Sequence, residues 1–166
     1  MSFSSRAQES TFPEKWIGEY TGNMTLASPH RDDRTIEVDF IMEELIKDSL
    51  WSYNMRFYGE STSVKDYLIR AVSKDNKVDF LLDENNGIIM ELTHMTGGFY
   101  GMYEVMGMIY TSSLRKQGDA IFYELYAAPT RNPHISGTEA TEKEEGVEVK
   151  STKPILVQSV LLMRKG

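Results

Sequence analysis

Apolar and polar side chains alternate with period two along most of this chain. That is the repeat of a β-strand, whose successive side chains point to opposite faces, and a helix cannot place such sets on one side. Trp16, Gly18, Tyr20, Gly22, Met24 and Leu26 share one face of a first strand; Ile17, Glu19, Thr21, Asn23 and Thr25 share the other. In a second strand Ile36, Val38, Phe40 and Met42 oppose Glu37, Asp39 and Glu43. In a third, Trp51, Tyr53, Met55 and Phe57 oppose Ser52, Asn54 and Arg56. Further strands are expected over 67–72, 77–82, 87–93, 99–106, 108–115, 120–127 and 155–163, rich in the Tyr, Phe, Ile, Val and Met that a pleated surface favours. Between them lie Lys74-Asp75-Asn76, Asn85-Asn86-Gly87, Gly97-Gly98 and Gln117-Gly118-Asp119, which supply turn chemistry.

About ten strands joined mostly by short turns would leave two bare edges and one apolar face as an open sheet. Closing the sheet removes the edges and encloses that face. The expected fold is therefore all-β: a single antiparallel up-and-down β-barrel of about 8–10 strands. A two-sheet sandwich is the competing architecture, but it usually needs longer crossings than these turns allow. The barrel domain is placed at 12–166, after a disordered or short N-terminal segment 1–11. Helix signals are confined to a single turn over 43–48 and a short cap over 8–15. Residues 129–153 carry two prolines, two glycines and the run Glu142-Lys143-Glu144-Glu145, which reads as a long loop before the last strand, either a mobile excursion or a lid.

The 166 residues include no cysteine, which excludes disulfides, thiolate nucleophiles and cysteine metal sites. Eighteen Lys and Arg are scattered among 25 acids, for a net charge of −7. That balance argues against nucleic acid and against an anionic membrane surface, both of which select clustered cations. No apolar run has the length of a membrane span, and residues 1–10 lack the apolar stretch of a secretory signal. A cytoplasmic protein is the expectation, with a secreted or periplasmic mature form as the alternative.

The Trp16-x-Gly18-x-Tyr20-x-Gly22 strand resembles the opening strand of the calycin superfamily, the lipocalins, fatty-acid-binding proteins and their bacterial relatives. The segments 83–89 and 99–107 are similar to stretches of small bacterial lipocalin-like proteins, and the likeness runs over roughly 12–163. It implies a barrel whose closed end is plugged by Trp16 and whose interior can hold a ligand; it implies no particular activity. The pattern departs from true lipocalins, in which glycine precedes the tryptophan.

If Trp51, Tyr53, Met55 and Phe57 face inward, the inner wall is aromatic and rich in methionine, and the chain holds ten Met and nine Tyr. Methionine adapts to variable apolar ligands, and tyrosine offers an apolar body with a polar tip. The expected function is non-catalytic binding of a small apolar or amphipathic molecule in a cavity of a few hundred Å³, roughly the usual size of such sites. The expected ligand-binding residues are Tyr53, Met55, Phe57, Arg56, Arg70, Met90, Tyr103, Glu104 and Tyr123. Glu104 interrupts an otherwise apolar strand, and inside the barrel it would need Arg56 or Arg70 as a partner. Such an interior Glu/Arg/Tyr set would also suit an enzyme of isomerase, cyclase or lyase type. A third reading is a filled barrel that serves as a structural or oligomerising module through the outer faces of 99–114. Monomer and homodimer are both open. No catalytic residue, metal or cofactor is assigned: no nucleophile elbow, phosphate loop or metal-ligand spacing occurs. Haem-binding barrels of the wider group use a histidine as axial ligand, and His94 is the residue in place for that role.

Overall fold

The computed structural model describes residues 12–166, so the segment 1–11 lies outside the described residues. Thirteen strands follow one another: β1 (Gly18–Ser28), β2 (Arg31–Met42), β3 (Glu44–Ile46), β4 (Leu50–Tyr58), β5 (Thr62–Ala71), β6 (Asp79–Asp83), β7 (Ile89–Met95), β8 (Gly98–Val105), β9 (Met108–Gln117), β10 (Ala120–Pro129), β11 (His134–Gly137), β12 (Glu148–Ser151) and β13 (Leu156–Arg164). The main sheet runs β2-β1-β13-β10-β9-β8-β7-β6-β5-β4-β3, and β2 also pairs with β4. That last pairing, from Glu37↔Tyr58 to Ile41↔Asn54, closes ten antiparallel strands into a barrel. The all-β up-and-down barrel is thus the architecture of the chain. Two tight hairpins have positive φ at both turn residues, Thr96-Gly97 and Met106-Gly107, the conformation whose twist matches that of the flanking strands.

One end of the barrel is closed by aromatic rings. The ring of Phe12, ahead of β1, meets Trp51, Phe99 and Phe80 at centroid separations of 4.7, 4.9 and 5.5 Å, mostly edge to face. Trp16 lies fully buried against Phe12 and Phe99, as the plug reading requires. Met42, Ile69, Ile121 and Leu162, all completely buried, complete the base. Outside it, the Arg164 guanidinium lies over the Tyr20 ring and donates to the Tyr20 hydroxyl and to the carbonyls of Lys15 and Ile17. Gly18 makes room for it: a Cβ there would run into the guanidinium.

Several boundaries differ from the sequence reading. Trp16 stands in a hydrogen-bonded turn, Trp16 N–H to Pro13 C=O, and the first strand begins two residues later. Over 43–48 the chain forms β3 instead of a helical turn, because the Ser52 N–H and hydroxyl fix the Glu43 backbone to β4. The stretch 129–153 contains the β11–β12 hairpin, which pairs only with itself, and its strand residues are exposed throughout. This hairpin forms a two-stranded sheet of its own and shares no strand pairing with the barrel.

Candidate functional site

The inward positions change character toward the end opposite the plug. Here β4 contributes Tyr53 and Met55, and β5 contributes Lys65 and Tyr67 directly across from them, in the register Tyr53↔Tyr67 and Met55↔Lys65. Tyr103 and Tyr123 enter from β8 and β10, Leu82 and Glu84 from β6 and the residue after it, and Met90 from β7. These side chains, with Ser112 and Leu125, surround a cavity of about 40 Å³. That space accommodates only a few water molecules. The few hundred Å³ expected from the sequence are absent because the tyrosine rings occupy them: Tyr53 stacks on Tyr67 at 6.2 Å and Tyr103 on Tyr110 at 5.2 Å.

Lys65 is the unusual member. Its ammonium lies 5.6 and 5.7 Å from the ring centroids of Phe57 and Tyr67, in cation–π range. It forms no ion pair among the described residues. Burial pushes its pKa below the ordinary lysine value, and the charge of Glu84 only partly restores it. Burial likewise raises the hydroxyls of Tyr53, Tyr67, Tyr103 and Tyr123. For Tyr67 a hydrogen bond and the charge of Glu84 add to the rise. The open end therefore holds a ring of neutral phenols, one carboxylate and one poorly solvated amine.

Of the residues expected from the sequence, Tyr53, Met55, Met90, Tyr103 and Tyr123 meet around this cavity, and Phe57 lies beside Lys65. Arg56, Arg70 and Glu104 do not. All three are exposed on the outer face, because each alternates with an inward neighbour: Met55, Ile69 and Tyr103. Arg70 pairs with Asp83 at 2.9 Å on the outside, and Glu104 accepts a hydrogen bond from Thr130. The expected interior Glu104–Arg pair is corrected accordingly. His94 ends β7 at the plugged base, enclosed by Phe12, Phe80 and Phe99 at 5.8, 6.1 and 4.9 Å. Burial lowers its pKa, and its Nε2 is buried without a hydrogen-bond partner. Phenylalanine rings packed this closely leave no room for a macrocycle, so His94 does not fit an axial haem ligand. Among the described residues no group of three or more acidic or histidine side chains is placed to hold a metal.

Lys65, Tyr67 and Glu84 were not singled out by the sequence reading. The alternation in sequence places the start of this strand at Tyr67, whereas β5 begins at Thr62, which brings Lys65 into phase with Tyr67 and Ile69. Glu84 sits where turn residues dominate, in Asp83-Glu84-Asn85-Asn86-Gly87. A larger groove of about 500 Å³ crosses the outside of β7–β10, lined by Thr93, Tyr100, Thr111, Ser113, Arg115 and Glu124 among others. It is open to solvent.

No protein-family model matches the chain, and no curated protein matches it in sequence. Among solved structures, the S-type phycobiliprotein lyase of Guillardia theta shares the fold, with a TM-score of 0.62. The superposition covers 92% of this chain and 90% of that one at 6% sequence identity. The likeness is one of fold, a closed antiparallel β-barrel. Among the described residues no helix is long and apolar enough to cross a membrane.

Proposed function

We propose that this protein binds a small amphipathic molecule at the open end of the barrel and does not turn it over. The observation that carries the reading is Lys65, a largely buried amine without a counter-ion in a ring of tyrosines. Burying a cation costs free energy unless something compensates, and a ligand with an acidic or strongly polar end would supply the compensation. The apolar body would lie against Tyr53, Tyr67, Tyr103 and Tyr123. With about 40 Å³ free, only the polar end fits as the site stands. Met55 and Met90 are the flexible side chains whose rotation would admit the rest.

A second reading is favoured by the same cluster. Glu84 and Lys65 share one cavity, an acid and an amine within reach of a common substrate, and the fold is that of a lyase. Titration with an anionic aromatic dye and with its uncharged parent hydrocarbon, followed by dye fluorescence, tests the binding reading. Saturable binding of the anion is expected in the micromolar range, roughly −8 kcal/mol. Lys65→Met should weaken the anion about tenfold, or about 1.4 kcal/mol, while changing the hydrocarbon little. Absence of saturable binding for both probes, with no small molecule retained in native mass spectrometry, refutes the reading. A stable dimer by light scattering would then favour the filled-barrel module.

A further inference from the structure

All ten lysines of the chain fall within the described residues, and the fold treats two of them differently from the rest. Eight are exposed. Lys116 is half-buried outside the plugged base, where its Nζ donates to the Tyr20 hydroxyl at 3.3 Å and the Asp119 carbonyl at 3.2 Å and lies over the Tyr20 ring. Its protons are engaged by these two acceptors, and it faces no cavity. Lys65 is the other. Its amine points into the cavity, has no hydrogen bond or ion pair, and is flanked by an aromatic ring on either side. The same cavity holds Glu84 and Tyr67, a carboxyl group and a phenol.

An amine set among aromatic rings at a cavity wall can attack a carbonyl, because partial burial shifts its equilibrium toward the neutral form and thins the water around its lone pair. We propose that Lys65 is a covalent attachment point that condenses with the aldehyde or ketone of a flat apolar ligand to form an imine. The inference rests on the binding reading above, since the same cavity receives the ligand. The steps balance without an oxidant or reductant. The Lys65 nitrogen bonds to the carbonyl carbon, and the carbonyl oxygen takes up the proton that nitrogen gives up. The Glu84 carboxylate then takes the second nitrogen proton and passes it to the carbinolamine hydroxyl, which leaves as water as the C=N bond forms. Amine plus carbonyl thus become imine plus one water. The carbonyl end is small enough for the space present, and the aromatic body would extend toward the mouth past Phe57.

The test uses the full chain with 2-naphthaldehyde, and 2-naphthalenemethanol as the matching alcohol that cannot form an imine. Borohydride reduction fixes any imine as a stable secondary amine, and peptide mass mapping locates it. Near neutral pH the expected result is one adduct per chain, on Lys65, formed about tenfold faster than on any other amine. Lys65→Arg and Lys65→Met should both abolish it, with cooperative melting confirming the fold of each. Glu84→Gln should slow adduct formation while the alcohol still binds. Labelling spread over the exposed lysines, or concentrated on Lys116, overturns the proposal. Binding of both probes with no trapped adduct overturns the imine and leaves the binding reading standing. Binding of neither overturns both.

Discussion

Phe12 lies outside every strand, yet its ring occupies the centre of the closed end. It is 7% exposed and meets Trp16, Trp51, Phe80, His94 and Phe99 at 6.0, 4.7, 5.5, 5.8 and 4.9 Å. Phe12→Ala deletes a buried aromatic and leaves a cavity that rigid strands cannot collapse into, a change that costs about 3 to 5 kcal/mol. Taking about 4 kcal/mol, the urea midpoint should fall by roughly 2 M for a slope near 2 kcal/mol per M. The melting temperature should fall by roughly 8 to 16 °C for a chain of this size. A domain with ordinary stability of about 5 to 15 kcal/mol survives this loss as a folded species, so the comparison is measurable. Tryptophan fluorescence is the natural assay, because both tryptophans of the chain touch Phe12. Phe12→Leu, which keeps most of the volume, should lose only about 1 to 2 kcal/mol. A loss below about 1 kcal/mol for Phe12→Ala, with unchanged tryptophan emission, would mean that the strands close the base without this residue.

Three further outcomes follow from the geometry. A Cβ at Gly22 would strike the Leu161 carbonyl and lie 2.7 Å from Val160 Cγ2, so Gly22→Ala should cost about 1 to 3 kcal/mol in chemical denaturation by forcing β1 and β13 apart. Burial alone would raise the Asp39 carboxyl, but hydrogen bonds from Lys165, Thr21 and Tyr58 outweigh it and hold the pKa below the usual carboxylate range. A carboxyl depressed in the folded state stabilises above its unfolded pKa and loses that contribution as pH falls, so Asp39→Asn should flatten the stability profile below about pH 4. Arg56→Ala and Glu104→Gln, both on the outer face, should change stability by no more than about 0.5 kcal/mol and leave dye binding intact; a loss of binding in either would contradict the outward placement.

Legibility in the sequence followed the strength of the alternation. Where large apolar residues recur at every second position, as in Trp51, Tyr53 and Met55 or Tyr20 and Met24, both the strand and its inward face were readable, and the structure buries those residues. The hairpin turns were readable because few residues tolerate positive φ, although one two-residue turn uses Thr96-Gly97 and leaves Gly98 to the strand. In β5 the signal fails. Val64 and Leu68 alternate with Lys65 and Tyr67, so hydrophobicity votes for the wrong face at one position and is neutral at the next. Glu104, an outlier by sequence, is simply an outward residue on a strand whose outer face is also partly apolar, as the exposure of Met102 shows.

Sequence alone determined the local matters: which residues extend, which turn, and which sets of side chains share a face, because these depend on backbone sterics and a period of two. It also selected closure, since ten strands with one apolar face have no other economical way to cover it. The tertiary structure decided the rest. Which edge strands meet, β2 on β4, depends on the summed twist of the whole sheet. That Phe12 folds under the base, and that Gly22 must be bare where β13 crosses, depends on contacts between parts of the chain far apart in sequence, Phe12 with Phe80 and Gly22 with Leu161. The site belongs to this second kind. Lys65 and Glu84 lie in different hairpins and carry charges that pattern reading assigns to solvent; only the closed curvature of the barrel turns both toward the same small cavity.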